Sequence, residues 1–305
     1  VVDLSIIIVS WNVAELLRKC LDSIGVNPRF EIIVVDSASS DNTVAMLWQD
    51  YPHVRLLARS ENVGFTRGNN IGLEAAQGRY RLLLNPDTEV IGDGLVRMIA
   101  YLDANPTVGI VGPRTLNNDG TTQSTKRRFP TLGIAFFEST WLQGFAPKSL
   151  LDRYYAADVP DDATAEVDWV QGSALMARRE VYEDIAGLDE GYIMFSEEMD
   201  WCKRAKDAGW RVVYLGSARI IHHGGKSTEQ VVARKHIHFQ ESKLRYFRKY
   251  HGRVIATILR LFLLLSYLWQ IGIEGGKSLL GSQRPLRRER VKAYWQVVRS
   301  GLKVT

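Results

Sequence analysis

Several short stretches place acids, amides or histidines where the chain leaves an apolar run, with types and spacings that can do chemistry. In VVDSASSDNT, Asp36 ends such a run and precedes a Ser-rich turn, from where a carboxylate can accept hydrogen bonds from a base or ribose. Turn formation or helix capping would use the same residue types. In YRLLLNPDTEVI (80–91) the most apolar run stops at Pro86, leaving Asp87 beyond it with Asn85 and Glu89 close by. A divalent cation bridging two phosphates takes few protein oxygens, because phosphate and water supply the rest, so one or two carboxylates suffice. A Pro-Asp turn is the plain alternative. In ENVGFTRGNNIGL (61–73), Gly64, Gly68 and Gly72 permit close backbone approach, and Arg67 and Asn70 can reach a diphosphate.

Downstream, FSEEMDWCKRAKDAGW (195–210) crowds Glu197, Glu198 and Asp200 at the start of a helix, where the helix dipole favours acids. Three acids within four residues exceed what a cap requires, and one can act as general base toward an acceptor hydroxyl. In IIHHGGKS (220–227), a His after a strand and before paired glycines can lie in a cleft; neutral imidazole can join a metal site, with His222 preferred to His223.

These residues need a scaffold that gathers strand ends. LSIIIVS (4–10), EIIVVDS (31–37), VRLLA (54–58), RYRLLLN (79–85) and GIVGP (109–113) read as buried strands, with helical periodicity over 13–25, about 41–50, 66–77 and 92–104. That alternation predicts an α/β fold with a doubly wound, mostly parallel sheet, in which ligands bind beyond the carboxyl ends of the strands. Residues 114–165 lose periodicity and read as an insertion that can line a cleft; Trp169 and the aromatics at 136–145 can stack on a sugar or pack in a core. DWVQGSALMARR (168–179), a helix at 197–209 and a strand at 211–215 restore order.

The 305 residues suffice for a sizeable core, and 46% hydrophobic with 24% charged residues is the composition of a folded protein. Two distant cysteines, Cys20 and Cys202, build no disulfide framework, and Val1 to Val9 has no basic leader, so a reducing, cytoplasmic setting is expected. Charge is split: from Lys226 onward 17 Lys/Arg face 4 Asp/Glu, a net of +13, while the preceding residues carry −8. A pI near 9.1 suits nucleic acid, but the positive charge accompanies a very apolar segment and the sheet region is acidic, so no nucleic-acid partner is expected. Residues 254–273 reach the lower limit of a membrane span; Arg260 and flanking cations also suit a helix lying in the interface, and packing on the sheet domain or on a second copy, as in a homodimer, is the third option. A nucleotidyltransferase is disfavoured because SWNVAELLRK carries no glycine after the first strand.

In order, SWN, VVDSASSDNT, NVGFTRGNNIG, LLLNPDTE, WVQGSALMARR, SEEMDW and HHGGKS resemble the family 2 glycosyltransferases of GT-A fold, especially their bacterial rhamnosyltransferase-like branch, over about residues 3–228. The resemblance implies a catalytic domain over 1–227, with a nucleotide-sugar half to about 115 and an acceptor half over 116–227, and a basic helical extension over 228–305. By position it implies that Ser10, Asn12, Asp36, Asn62, Gly64, Phe65, Arg67, Asn70, Asn85 and Asp87 serve the nucleotide-sugar. Asn85-Pro86-Asp87 stands for the DXD element, with Asn in place of its first acid, and Asp87 and His222 would hold Mg²⁺ or Mn²⁺. Glu198 matches the general base, where Asp is usual, and Trp169, Gln171, Gly172 and Glu197 would face the acceptor. The implied reaction is an inverting, non-processive transfer of L-rhamnose from dTDP-L-rhamnose to a polyprenyl-diphosphate-linked glycan, at the inner face of the plasma membrane, for cell-surface polysaccharide. A UDP-linked donor is the alternative, as is an inactive nucleotide-binding relative, which Asn85 and Glu198 would suit.

Overall fold

The computed structural model describes residues 2–224, 232–281 and 283–303. The first four strands, β1 (Leu4–Ser10), β2 (Phe30–Asp36), β3 (Arg55–Ala58) and β4 (Tyr80–Leu84), pair in parallel in the order β3-β2-β1-β4. Helices α1 (Ala14–Ile24), α2 (Thr43–Asp50) and α3 (Phe65–Ala75) connect them. β1 is buried along its whole length, which is why its sequence is a continuous apolar run rather than an alternation. Gly68 and Gly72 make their close approach to β1: a Cβ at Gly68 would lie 2.8 Å from Val9 Cγ1, and one at Gly72 would overlap Ile7.

The second half of the sheet is mixed. β5 (Thr88–Val90), α4 (Gly94–Ala104) and β6 (Val108–Leu116) follow β4. The chain then forms β7 (Lys126–Arg127), α5 (Leu132–Phe137), a 3-10 turn at Trp141–Phe145, α6 (Lys148–Tyr154), β8 (Thr164–Glu166), β9 (Trp169–Val170) and β10 (Ala174–Arg178). β10 inserts antiparallel between β4 and β6. After α7 (Arg179–Ile185) and α8 (Glu197–Asp207), β11 (Arg211–His222) runs parallel to β6 and antiparallel to β5 and β8. A register shift between Leu215 and Arg219 lets β11 continue well past the apolar stretch that marks it in the sequence, to His222.

The chain divides into two compact units. The first holds the residues up to Phe129, Tyr155–Glu190, α8 and β11, and contains the sheet. The second groups Pro130–Tyr154 and Gly191–Ser196 with the C-terminal helices α9 (Val232–Leu279) and α10 (Arg284–Ser300). Within it Phe136 packs edge-on against Phe262 at 5.0 Å, and buried Lys243 donates to the Glu138 carbonyl at 2.7 Å. α9 is two helices joined at Gly252, whose φ of 87° is the left-handed region that glycine enters without strain. Arg260 donates to the Gly301 carbonyl at 2.7 Å, beyond the end of α10. The 227/228 boundary expected from the sequence and Gly225 to Ser227 of the HHGGKS stretch lie outside the described residues.

Candidate active site

The carboxyl ends of the parallel strands carry the first part of the site. Ser10 closes β1 and pairs in register with Asp36 at the end of β2; the Ser10 side chain is buried and its carbonyl accepts from Ser37 N at 2.8 Å. Asp36 is buried; Oδ2 accepts from Ser39 N at 3.0 Å, and Oδ1 has no hydrogen-bond partner among the described residues. A buried carboxylate oxygen without a donor is costly, and a ligand hydroxyl or N–H meets that need. Asn12, at φ 53°, accepts from Ser40 N through its side-chain Oδ1 at 2.7 Å and so ties β1 to the Ser-rich turn. Asn62 Oδ1 accepts from Ser37 Oγ at 3.0 Å and Gly64 N at 2.9 Å, and Gly64, at φ 77°, turns the chain into α3 at Phe65. Arg67 is exposed.

Asn70 is elsewhere engaged. Its Oδ1 accepts from Leu188 N at 2.8 Å, and its Nδ2 donates to Leu188 O at 2.9 Å and Glu190 Oε1 at 3.1 Å. The side chain named from the sequence as a diphosphate contact clamps the segment leading to α8.

The second part lies beyond β4. Asn85 N donates to Ser173 O at 3.0 Å, and Asn85 O accepts from Thr88 Oγ1 at 2.7 Å, with the Cys20 thiol below it at 3.7 Å. Asp87 is buried, with Oδ1 3.3 Å from His222 Nε2. Asn85 Nδ2 lies 3.4 Å from the same nitrogen, and Asn85 Oδ1 is buried without a partner among the described residues. His223 is drawn off to Glu89, at 2.6 Å. β11 and β5 bring these groups together, pairing His222 with Thr88.

Among the described residues no three His, Cys, Asp or Glu side chains converge as a self-sufficient metal cage. The donor set nonetheless fits a cation that takes its remaining ligands from phosphate and water: one carboxylate, one imidazole nitrogen and an unpartnered amide oxygen.

The third part is the start of α8. Phe195 and Ser196, at φ 69° and 64°, are consecutive left-handed residues, a strained entry that delivers Glu197 and Glu198. Glu198 Oε1 accepts from Gly172 N at 3.4 Å; its Oε2 and that of Glu197 are buried without partners among the described residues. Burial pushes the Glu197 carboxyl well above the usual range, helped by the charge of Glu198. Burial also raises Glu198, opposed by backbone N–H groups and by the Arg127 guanidinium. Asp200 is fully buried and ion-paired to Arg204 at 2.8 Å. Arg204 in turn donates to Ile185 O and Gly187 O, and Trp201 Nε1 to Ala186 O. The third acid of the cluster thus serves the helix's anchorage.

Trp169 is buried and donates to Arg128 O at 3.1 Å, with Arg127 5.9 Å from its ring centroid; Gln171 N donates to Thr125 O at 3.0 Å. Two residues near these groups carry no spacing signal in the sequence. Arg127 sits 4.7 Å over the Tyr155 ring, and Gln123 joins His222 through both ends of its amide. Both come from the polar stretch LNNDGTTQSTKRR, which shows no periodicity; only their charged and amide types could have drawn attention.

The model of the glycosyl transferase family 2 matches residues 5–167, more than half of the chain. The N-acetylglucosaminyl-diphospho-decaprenol L-rhamnosyltransferase of Mycobacterium tuberculosis is 29% identical over 241 residues, covering 74% of this chain and 77% of its own. Rhamnosyltransferase WbbL of Escherichia coli is 25% identical over 254 residues, 80% of this chain and 92% of its own. Among solved structures, the mannosyltransferase PcManGT of Pyrobaculum calidifontis, in complex with GDP-Man and Mn²⁺, superposes with a TM-score of 0.57 at 18% identity, covering 98% of this chain and 84% of that one; this likeness bears on the fold, which is GT-A. With acids at and just past the ends of β2 and β4 and a carboxylate pair opening α8, the chain belongs to glycosyl transferase family 2.

Proposed function

We propose that the protein transfers L-rhamnose from dTDP-L-rhamnose to a hydroxyl of a polyprenyl-diphosphate-linked glycan, one sugar per encounter and with inversion, in cell-surface polysaccharide synthesis. The observation that carries this is the short bonded path between the Asn85–Asp87 turn and Glu198. Asn85 N reaches Ser173 O at 3.0 Å, and the adjacent Gly172 N reaches Glu198 Oε1 at 3.4 Å. A diphosphate-side turn and a proton acceptor are thereby held by one turn of backbone, as transfer from a diphosphate to a hydroxyl requires. The sugar and the carrier follow the relatives, whose names specify rhamnosyl transfer and, in one, a diphospho-decaprenol.

In this reading Asp36 Oδ1 accepts from the nucleoside. Asp87 and His222 would hold Mg²⁺ or Mn²⁺, which would neutralise the charge of the diphosphate. Glu198 takes the proton of the acceptor hydroxyl as that oxygen bonds to the anomeric carbon and the bond to the diphosphate breaks. Attachment at the inner face of the plasma membrane is assigned to the second unit. Within α9, Val254, Ile258, Leu261, Leu265, Leu268 and Trp269 are exposed, at helical spacing, opposite the buried Leu259, Leu263 and Tyr267.

The test is nucleoside diphosphate release from dTDP- and UDP-linked sugars with Mg²⁺, Mn²⁺ or EDTA, with and without a lipid-diphosphate glycan. Release from dTDP-rhamnose that needs both metal and acceptor is expected, and Glu198→Gln should lower it at least ~100-fold while dTDP binding is retained. Release from a UDP-sugar alone would reassign the donor. Silence with intact dTDP binding would mark a nucleotide-binding relative without transfer.

A further inference from the structure

The stretch LNNDGTTQ has no part in the chemistry above. It is a hairpin that turns back at Asn117–Thr121, where Asn117 N donates to Thr121 O at 2.8 Å, and it returns with Gln123 N bonded to Thr115 O at 2.8 Å. β6 and β11 run side by side here, with Leu116 opposite Ile221, so the hairpin sets Gln123 beside His222. Gln123 Nε2 donates to the His222 carbonyl at 2.7 Å, which determines which end of the amide is which. The other end, Oε1, therefore faces His222 Nδ1, at 3.0 Å. A carbonyl oxygen only accepts, so Nδ1 carries the hydrogen, and in neutral imidazole Nε2 then keeps its lone pair. That lone pair can accept from Asn85 Nδ2, 3.4 Å away, and lies 3.3 Å from the Asp87 carboxylate. Two electron-rich groups facing each other at this distance leave a place for a cation.

We propose that Gln123 is a positioning residue for the donor-side cation site: it selects the Nδ1–H tautomer of His222 and sets the ring so that Nε2 is available as a ligand beside Asp87. This rests on the reading of Asp87 and His222 as the protein ligands of the cation. Hydrogen bonds behind a ligating imidazole fix its tautomer and orientation, and losing one costs about 10- to 100-fold in metal affinity. A Gln123 that merely staples the hairpin to β11 would affect stability and leave the metal alone.

Two measurements on the full chain test it. Long-range ¹H–¹⁵N spectra of metal-free wild type, with His222 assigned by its loss in His222→Ala, should show the Nδ1–H tautomer; the Nε2–H tautomer would overturn the proposal whatever the metal does. Mn²⁺ is then titrated by electron paramagnetic resonance in the presence of dTDP. Gln123→Leu is expected to weaken Mn²⁺ about 10- to 100-fold without changing metal-free dTDP binding. Q123L combined with H222A should bind no more weakly than H222A. Gln123→Ser replaces Q123L if the leucine variant does not fold. Wild-type affinity in Q123L together with a loss in H222A would remove Gln123 and spare the metal reading. Wild-type protein that binds no Mn²⁺, or H222A that binds it unchanged, would remove both.

Discussion

Glu197 and Glu198 show how neighbouring residues of one type acquire different work. Among the described residues each has one buried oxygen without a partner, but only Glu198 has its other oxygen, Oε1, accepting from Gly172 N. Both carboxyls are raised by burial, so the folded chain holds their protons more tightly than the unfolded chain does. The sign follows from linkage: their stability contribution is full below the ordinary Glu value of ~4.3 and is lost as pH rises through the raised folded values. Glu197→Gln is therefore expected to raise Tm by roughly 2–4 °C per kcal/mol recovered at pH 8 and to leave it unchanged at pH 4, read by calorimetry at both pH values. A gain at pH 4 as large as at pH 8 would show that burial of the charge is not what the position costs. With Glu198 in its proposed role of base, the acidic limb of kcat/KM should lie above the ordinary Glu range.

Between α3 and α8 the protein uses side chains as ties between elements. Asn70 holds Leu188 and Glu190, Arg204 holds Ile185 and Gly187, and Trp201 holds Ala186, so the helix carrying Glu198 is anchored to α3 through one loop. Asn70→Ala removes the two bonds to Leu188 and leaves that backbone without its partner, a change of about 1–3 kcal/mol. The expected outcome is a lowered Tm and a kcat reduced more than the donor KM is raised, measured by steady-state kinetics and thermal unfolding. A raised donor KM with unchanged kcat and Tm would return Asn70 to the diphosphate-contact role that its motif suggests. The glycines of the same helix follow the same logic, since Gly68 and Gly72 bring α3 against β1.

At the scale of the whole molecule, charge and apolar surface are segregated by sequence. Within α9 and α10, 15 Lys/Arg face 3 Asp/Glu, a net of +12; α9 also exposes Val254, Leu261, Leu265 and Trp269, and α10 carries exposed Arg284, Arg288, Arg290 and Lys292. Among the described residues one helix, within α9, is long and apolar enough to cross a membrane, but its apolar residues divide between a buried and an exposed face. That division suits attachment in the interface, with anionic headgroups drawn to the basic residues. Leu265→Glu with Trp269→Glu should lower partition onto anionic vesicles at least ~10-fold, with dTDP binding unchanged, and wild-type partition should weaken as salt is raised. Unchanged partition in the double variant would remove this face as the attachment surface.

The donor-side framework was legible because burial on both faces writes itself as continuous apolar runs: LSIIIVS, EIIVVDS and RYRLLLN mark β1, β2 and β4 to within a residue or so. Strand ends then predicted where Asp36 and Asp87 would stand, since side chains beyond a strand's carboxyl end face the ligand side of such a sheet. Arg260 was visible as a charge in an apolar helix, but its bond to the Gly301 carbonyl depends on where α10 ends. The antiparallel entry of β10 between β4 and β6, and the reach of β11 to His222, were decided by pairing between segments far apart in the chain, which local periodicity does not encode. Residue types and strand ends were thus determined by the sequence alone. Which amides face a ligand and which, like Asn70 and Gln123, hold other residues in place was decided by the tertiary structure, because a hydrogen-bond partner is a property of position in space.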